Sequence, residues 1–522
     1  MIDVGPPDGS QEPFLQASTA HVRNWITLSH CWGVIQPLKT TRESFSSHRK
    51  ILQYNTLPTL FRDAVETVRI MGYRYLWIDS LCIIQDSKED WQKEVSKMGE
   101  VYKNCVFMIS AEFCHDHTES FFSLAAEKDY VVQGCHSPAR GFCGSIYTYH
   151  TTNKDAERLA RGVLQTRAWA LQEDILSPRT MKWTQEQLVW ECRTTTLSEE
   201  IPGLDALDAH GFMGHENLKA ICLSKDILQN RKQRLEAVDT GWYHDPLVLW
   251  YRVVQIFCQR HISFSADVFP AISGIAKEVA RHTGFEYRAG IWAQDFHNGL
   301  MWTTDGSQQK SKDYVGPTWT WASACNRGLK LPGALIASFS RQEDIINPTA
   351  EIIDIDIKYA GRDEFSAVTS GTLQIKGRHV ALGNLAIGSI ILSDSGKLEK
   401  FNDPPRVVTS LLKSRKGQVA YLWLDFMPLV KEHVLSNLSN EGAILFDIGT
   451  IGYRKRPEIG EKKISDMNND ELQASIIFYP AKNFALVLRP TGGNVDEYER
   501  IGIARVSGDL REGWESRLVT IV

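Results

Sequence analysis

The sequence from residue 57 to residue 111 reads LPTLFRDAVETVRIMGYRYLWIDSLCIIQDSKEDWQKEVSKMGEVYKNCVFMISA. It begins with a segment whose apolar residues recur at helical spacing, as in a helix with one buried face. Pro58 lies near the start of this segment, where a missing N–H costs no hydrogen bond. Gly72 follows its end, where a left-handed residue can close the last turn. We therefore predict a helix near residues 58–71.

A second helix is predicted near residues 88–103. Ser87 is followed three residues later by Asp90, the spacing of a capping box at a helix N-terminus. Behind it, apolar side chains recur with the period of a helix and form one stripe, which consists of Trp91, Val95, Met98 and Tyr102.

Two strands are predicted within the same stretch, at residues 75–84 and 105–111, and a third at residues 25–29. The first two are apolar on both parities, which is typical of strands that are buried on both faces. Strands that alternate with helices through short connections form right-handed crossovers and a parallel sheet. We therefore expect an α/β fold with a mainly parallel sheet, and ligands outside the carboxyl ends of its strands.

Composition limits the possible classes of protein. The chain has 522 residues, 43% of them hydrophobic and 23% charged, and a net charge of −5. This length predicts two or three globular domains. We find no apolar run long enough to span a membrane, no secretory signal and no block of Lys or Arg. These features favour a cytoplasmic protein that binds no nucleic acid and has no membrane span.

The ten cysteines are scattered and none forms a Cys-x-x-Cys pair, which favours free buried thiols over disulfides. The densest group of metal-ligand types lacks the paired spacing of a structural zinc site, so we predict no metal and no cofactor. That group comprises Cys114, His115, Asp116, His117, Cys135 and His136.

The rest of the chain changes character twice. Residues 247–261, LVLWYRVVQIFCQRH, are apolar around nearly the whole helical circumference, which predicts a buried helix. From about residue 350, short apolar or alternating runs are separated by turn residues, which indicates strands. We therefore expect an α/β domain at residues 22–195, a helical middle segment at 196–335 and a β-rich domain at 336–522.

Three blocks together resemble a known family. They are WITLSHCWG at residues 25–33, the stretch at 57–111 and RAWALQE at 167–173, and in this order and spacing they resemble the fungal heterokaryon-incompatibility (HET) domain. Weaker similarity to full-length HET-domain proteins continues at residues 267–279, 287–296, 316–323 and 484–493. The resemblance implies a role in allorecognition and programmed cell death. It also implies self-association or contact with another incompatibility protein.

The resemblance further implies a fold like that of Toll-receptor-type (TIR) domains, with which HET domains have been compared. NAD-cleaving TIR domains use a glutamate on a helix, shortly downstream of a tryptophan. The segment DWQKE at residues 90–94 is similar, with a Trp91-to-Glu94 spacing one residue shorter. Glu94 borders the buried stripe of its helix and is a candidate catalytic residue. The alternative is a solvated partner of Lys97.

Asp79 is the other candidate carboxylate, because a charge within the apolar run YLWIDSLC requires a partner. We expect it to be buried and bonded to a cationic or N–H donor group, with Arg167 as the favoured partner. That pairing has a purely structural interpretation as well as a functional one.

His30 is the third candidate catalytic residue. A nucleophile and base pair of His30 and Cys31 is disfavoured, since adjacent residues at a strand end point to opposite faces. The three family-matching blocks deliver polar residues to one sheet edge, where we predict an active cleft. Besides the three catalytic candidates, its predicted binding residues are Ser29, Ser80, Gln85, Arg167 and Glu173.

Three functions remain open from the sequence. The first is an effector that hydrolyses a nucleotide such as NAD, with Glu94 or Asp79 stabilising an oxocarbenium-like centre. The second is a non-catalytic, self-associating signalling module. The third is a HET-like scaffold recruited as an enzyme of small-molecule (secondary) metabolism.

Overall fold

A computed structural model divides the chain into two compact units, residues 1–224 and 225–522. The described residues are 1–17, 23–34, 36–123, 131–137, 142–148, 162–185, 187–199, 204–205, 219, 246–303, 313–325, 335–336, 345–382, 386–387, 410–413, 419–424, 438, 440–452, 454–455, 477–478, 482–506 and 514–522. No helix in this part of the chain combines the length and the apolar character needed to cross a membrane.

The first unit contains a mixed sheet and helices on the connections between its strands. Its strands are β1 (Ile2–Asp3), β2 (Phe14–Leu15), β3 (Trp25–Ser29), β4 (Tyr75–Trp77), β5 (Met108–Ala111), β6 (Val131–Ser137), β7 (Phe142–Thr148), β8 (Arg179–Trp183), β9 (Leu188–Cys192), β10 (Thr195–Ser198) and β11 (Leu204–Asp205). Its helices are α1 (Arg42–His48), α2 (Thr59–Ile70), α3 (Asp79–Cys82), α4 (Lys88–Lys103) and α5 (Ala168–Leu176).

The strand order in the main sheet is β11-β10-β9-β8-β5-β3-β4-β1-β2. The four central strands β8, β5, β3 and β4 are parallel, while the flanking pairs β1–β4 and β8–β9 are antiparallel. The predicted α/β fold is therefore confirmed for this unit, and the predicted parallel sheet is present at its centre. The sheet as a whole is mixed, because antiparallel strands extend it at both edges.

The two helices predicted within residues 57–111 form as expected. Gly72 has φ +75°, a left-handed conformation that suits glycine just beyond α2. The Ser87 side chain accepts a hydrogen bond from the Asp90 N–H and caps α4. Buried residues of α2, including Leu60 and Phe61, share one core with residues of the central strands.

One predicted strand is wrong in its second half. The segment 75–84 is a strand only from Tyr75 to Trp77, and a single helical turn follows from Asp79 to Cys82. An apolar run does not distinguish a buried strand from a buried helical turn, because both present apolar side chains to the core. The predicted strand at 105–111 is likewise shorter, Met108–Ala111.

The second unit is mainly β. Its helices are α6 (Pro246–Phe257), α7 (Pro270–Thr283) and α8 (Phe296–Gly299). Its strands are β12 (Tyr287–Arg288), β13 (Ile291–Trp292), β14 (Trp302–Thr303), β15 (Leu335–Ile336), β16 (Ile345–Pro348), β17 (Glu351–Tyr359), β18 (Val368–Ala381), β19 (Ala386–Ile387), β20 (Ser410–Lys413), β21 (Val419–Leu424), β22 (Ile444–Gly452), β23 (Arg454–Lys455), β24 (Ile477–Phe478), β25 (Lys482–Pro490), β26 (Glu497–Val506) and β27 (Glu515–Ile521).

The large sheet of this unit resembles a barrel. Strand β22 pairs with β18 and with β25. Strand β18 also pairs with β27, β27 pairs with β26, and β26 pairs with β25. The five strands thereby close a ring of backbone pairings, which leaves them no free edges. In the described part of this unit, the three helices lie between residues 246 and 299 and the large sheet begins at residue 345. The predicted domain boundaries at residues 195 and 335 stay predictions.

Candidate functional site

The parallel strands bring polar residues to one edge of the sheet. Ser29 ends β3 and His30 follows it, Asp79 lies two residues after β4, and Glu112 directly follows β5. The chain passes from β3 to β4 on one side and then crosses to β5 on the other side. The strand order therefore reverses at β3, and such switch points are where open parallel sheets bind ligands.

Asp79 lies at the start of α3 rather than inside a strand. Its carboxylate accepts hydrogen bonds from the indole N–H of Trp32 (2.8 Å) and from the backbone N–H of Ser80 (2.7 Å). The Nδ1 atom of His30 lies 3.9 Å from it. The side chain keeps 16% of its surface exposed. The expected N–H donors are therefore present and are neutral groups, whereas the expected burial of Asp79 is wrong, because its side chain is only half-buried at the start of a helical turn.

His30 is buried with only 1% of its surface exposed. Its ring packs edge to face against Phe61 at 5.3 Å. Among the described residues, its Nε2 atom has no hydrogen-bond partner. Burial lowers the pKa of His30 to about 4, although the Asp79 carboxylate opposes this shift. The imidazole is therefore neutral near pH 7, and it is a weaker base than an exposed histidine.

Burial has the opposite effect on the neighbouring thiol, because it raises the pKa of Cys31 to about 11. A thiol with such a pKa is protonated at neutral pH and is a poor nucleophile. This electrostatic argument agrees with the sequence-based argument against a mechanism that uses Cys31.

Glu173, on α5, is the most perturbed carboxyl group at this edge. It is 2% exposed, and its Oε2 atom accepts a hydrogen bond from the Ser29 hydroxyl. Burial raises the pKa of Glu173 to about 7, with the Arg167 guanidinium opposing and the Asp79 carboxylate adding to the shift. Glu173 therefore exchanges a proton near neutral pH, a property often found at functional sites.

Arg167 precedes α5, and its guanidinium donates a hydrogen bond to the backbone carbonyl of His30. This bond ties the start of α5 to the end of β3. The pairing of Arg167 with Asp79 stays a prediction.

Ser80 and Gln85 have different surroundings. Ser80 is fully buried, and its hydroxyl has no hydrogen-bond partner among the described residues. The Gln85 amide donates to the backbone carbonyls of Asp79 (3.0 Å) and Ile83 (3.1 Å). These bonds hold the turn around α3 and give Gln85 a structural role there.

Glu94 lies on α4 and forms ion pairs with Lys93 (3.8 Å) and Lys97 (3.5 Å). Its side chain is 23% exposed. The surface ion pair with Lys97 considered from the sequence is therefore present. A catalytic role for Glu94 stays a prediction.

Sequence reasoning missed three contributors to this edge. They are Trp32, which donates to Asp79; Tyr102, whose hydroxyl donates to the Leu28 carbonyl (3.3 Å); and Glu112, which follows β5. Glu112 is 4% exposed and accepts a hydrogen bond from the Ser110 hydroxyl (2.8 Å), and burial raises its pKa. The sequence does contain a signal for Glu112, because a carboxylate directly follows a predicted buried strand.

An open pocket of about 490 Å³ lies at the same edge of the sheet. Residues of the loops after β5 and β8 and the start of α2 line it. They include Thr59, Phe113, His115, Thr118, Glu119 and Gln185. The predicted cleft residues are not among those that line this pocket.

Within the described residues, no three His, Cys, Asp or Glu side chains are grouped so that they could hold a metal ion. The side chains of Cys135 and His136, which belong to the group considered from the sequence, lie outside the described part.

Comparison with protein families gives one match. Residues 25–173 match the family model described as heterokaryon incompatibility protein (HET). The matched range begins at β3 and ends at Glu173, so it contains the polar edge described above. No curated protein and no solved structure matches the chain.

Proposed function

We propose that this chain, which carries a heterokaryon incompatibility domain, is an effector of fungal allorecognition and programmed cell death that hydrolyses a nucleotide such as NAD. One observation carries the proposal. Ser29, His30, Asp79, Arg167 and Glu173 meet where the strand order of the parallel sheet reverses. The doubly wound order β4-β3-β5-β8 also suits the TIR-like arrangement expected from the family resemblance.

The chemistry assigned to this edge is cleavage of an N-glycosidic bond. The bond between the ribose carbon and the base breaks, and its electron pair leaves with the base. Nicotinamide leaves as a neutral ring, so its departure needs no acid. Positive charge develops on the ribose, and a nearby carboxylate stabilises it. We assign this role to Asp79, because its carboxylate is partly exposed.

Other groups of this edge hold the Asp79 carboxylate in place and orient the attacking water. Trp32 and the backbone of Ser80 hold the Asp79 carboxylate in place through two N–H donors. His30 is neutral near pH 7, and its Nε2 atom, which has no partner among the described residues, can accept a hydrogen bond from the attacking water and orient it; the water loses its proton to solvent as it adds to the ribose. Glu94, on α4, is the second candidate carboxylate.

A second candidate function is a non-catalytic module that signals through self-association or contact with another incompatibility protein. The burial of the cluster favours it. His30 and Glu173 are 1% and 2% exposed, so a substrate reaches them only when this edge opens.

The two functions differ in a direct assay. Purified protein is incubated with NAD and nicotinamide release is followed. We expect Asp79→Asn and Glu94→Ala each to lose at least about 100-fold in turnover, the scale for removal of a positioned acid–base group. Glu100→Ala is the matched control, since Glu100 is an exposed partner of Lys103 on the same helix. Equal turnover in all four proteins would contradict the assignment.

A further inference from the structure

Two cysteines of the second unit lie in contact although 67 residues separate them in sequence. Cys258 directly follows α6, and Cys325 directly follows the short 3₁₀ helix Trp321–Ala324. Their sulfur atoms are 3.5 Å apart. Both residues are buried, at 1% and 3% exposure. Such proximity is a property of the fold and does not follow from the spacing in the sequence.

The backbone on both sides of the pair is firmly held. The N–H of Cys258 donates to the Val254 carbonyl (2.9 Å), and the N–H of Cys325 donates to the Ala322 carbonyl (3.0 Å). Between these anchors, the Trp321 ring packs edge to face on Phe257 at 6.0 Å. The two thiols therefore face each other across a packed contact.

Trp321 also fixes its turn to a third segment. Its indole N–H donates to the Gly290 carbonyl (2.8 Å), and a Cβ atom at Gly290 would lie 2.5 Å from the indole nitrogen. The preceding Thr320 hydroxyl donates to the Ala289 carbonyl (2.6 Å). These contacts leave the turn that carries Cys325 little freedom to move away from α6.

We propose that Cys258 and Cys325 form a reversible disulfide that cross-links the end of α6 to the turn at residues 321–325 when a peroxide oxidises the protein. A disulfide bond is about 2.05 Å long, so the sulfur atoms need to approach by about 1.5 Å, which small side-chain rotations can supply. The reaction balances with hydrogen peroxide as the oxidant. One thiolate attacks a peroxide oxygen and becomes a sulfenic acid, and the second thiol displaces water from it.

The burial of the pair determines when the bond forms. Burial raises the pKa of Cys258 well above its ordinary value, so little thiolate is present and oxidation of the folded protein is slow. Cys192 in the first unit is the opposite case. Burial alone would raise its pKa, but hydrogen bonds from Thr194 lower it, and the residue is half-buried. Oxidation of Cys192 therefore serves as an internal control that the peroxide has reacted with the protein.

The test is a peptide map of the intact chain after treatment with hydrogen peroxide, denaturation and alkylation of the remaining thiols. We expect a peptide pair joined through Cys258 and Cys325, lighter by two hydrogen atoms than the reduced pair and released by dithiothreitol. Recovery of both cysteines as alkylated thiols, after a peroxide treatment continued well beyond complete oxidation of Cys192, would overturn the proposal. This arm uses the wild-type chain and does not depend on the folding of any variant.

A thermal denaturation series tests the stabilising effect. Closing a loop of this length should raise the melting temperature of the oxidised chain by roughly 5 °C or more over the reduced chain. Cys325→Ser should abolish this difference, whereas Cys192→Ser should preserve it. A cross-link that forms without a change in melting temperature would refute the structural role that we assign to it.

Discussion

Replacing Glu173 by Gln should make the first unit more stable at neutral and alkaline pH than the wild-type chain. Glu173 is 2% exposed, and burial raises its pKa to about 7, whereas an ordinary glutamate has a value of 4.5. The glutamine has nearly the same shape and can still accept the hydrogen bond from Ser29. The variant therefore removes the buried charge and leaves the packing unchanged.

The size of the effect follows from proton linkage. Below pH 4.5 the carboxyl is protonated in both the folded and the unfolded chain, so its full stabilising contribution is present. Between pH 4.5 and 7 the unfolded chain releases the proton and the folded chain retains it, so the wild type loses stability as pH rises. At 1.36 kcal/mol per pKa unit, this loss amounts to about 3 kcal/mol and is complete above pH 7.

The assay is urea unfolding of Glu173→Gln and wild type between pH 4.5 and 8. Pulsed hydrogen exchange on peptides from β3 and α5 follows the first unit separately. The free energy of unfolding of the variant, relative to wild type, should rise by about 3 kcal/mol across this range. Glu100→Gln is the control, because Glu100 is exposed and paired with Lys103. A constant difference between Glu173→Gln and wild type at all pH values would refute the reasoning.

Two further substitutions test other contacts of the fold. Asp79→Ala should destabilise the first unit by about 1.5–3 kcal/mol, because it leaves the Trp32 indole N–H without its acceptor. In urea unfolding, a double-mutant cycle with Trp32→Phe should show that the two effects are not additive, and additive effects would exclude this coupling. Arg500→Met should destabilise the second unit by about 3 kcal/mol or more in urea unfolding. The buried guanidinium lies 3.6 Å from the centre of the Trp302 ring and donates hydrogen bonds to the carbonyls of Leu300 and Trp302. A loss of stability below about 1 kcal/mol would contradict this prediction.

Local patterns in the sequence were sufficient to predict the main helices. Helix α4 runs from Lys88 to Lys103, as its capping signal and apolar stripe predict. One of the two hydrogen bonds of a capping box is present, from the Asp90 N–H to the Ser87 hydroxyl oxygen. The Asp90 carboxylate, which would complete the box, accepts a hydrogen bond from the Ile84 N–H instead. The helical turn at Asp79 was not predictable, because its apolar neighbours suit a strand equally well.

The candidate site was predictable in its location but only partly in its contacts. Residues at the ends of buried parallel strands meet at one edge, and in the structure Ser29 ends β3 and Asp79 follows β4 at that edge. Their role in a site stays a prediction. The partners of these side chains depend on tertiary packing. Ser29 donates to Glu173, 144 positions further along the chain, and Trp32 donates to Asp79, 47 positions further along. A single sequence contains no local signal for such pairs.

The most direct test of the proposed function measures NAD consumption and growth arrest in the same cells that express the wild-type chain or Asp79→Asn. We predict that the wild-type chain depletes NAD and arrests growth. Asp79→Asn at equal abundance should lose at least about 100-fold in NAD turnover and should permit growth. Growth arrest by the wild-type chain with no NAD turnover, in the monomer or in any assembled form, would contradict the proposal that this edge of the sheet is catalytic.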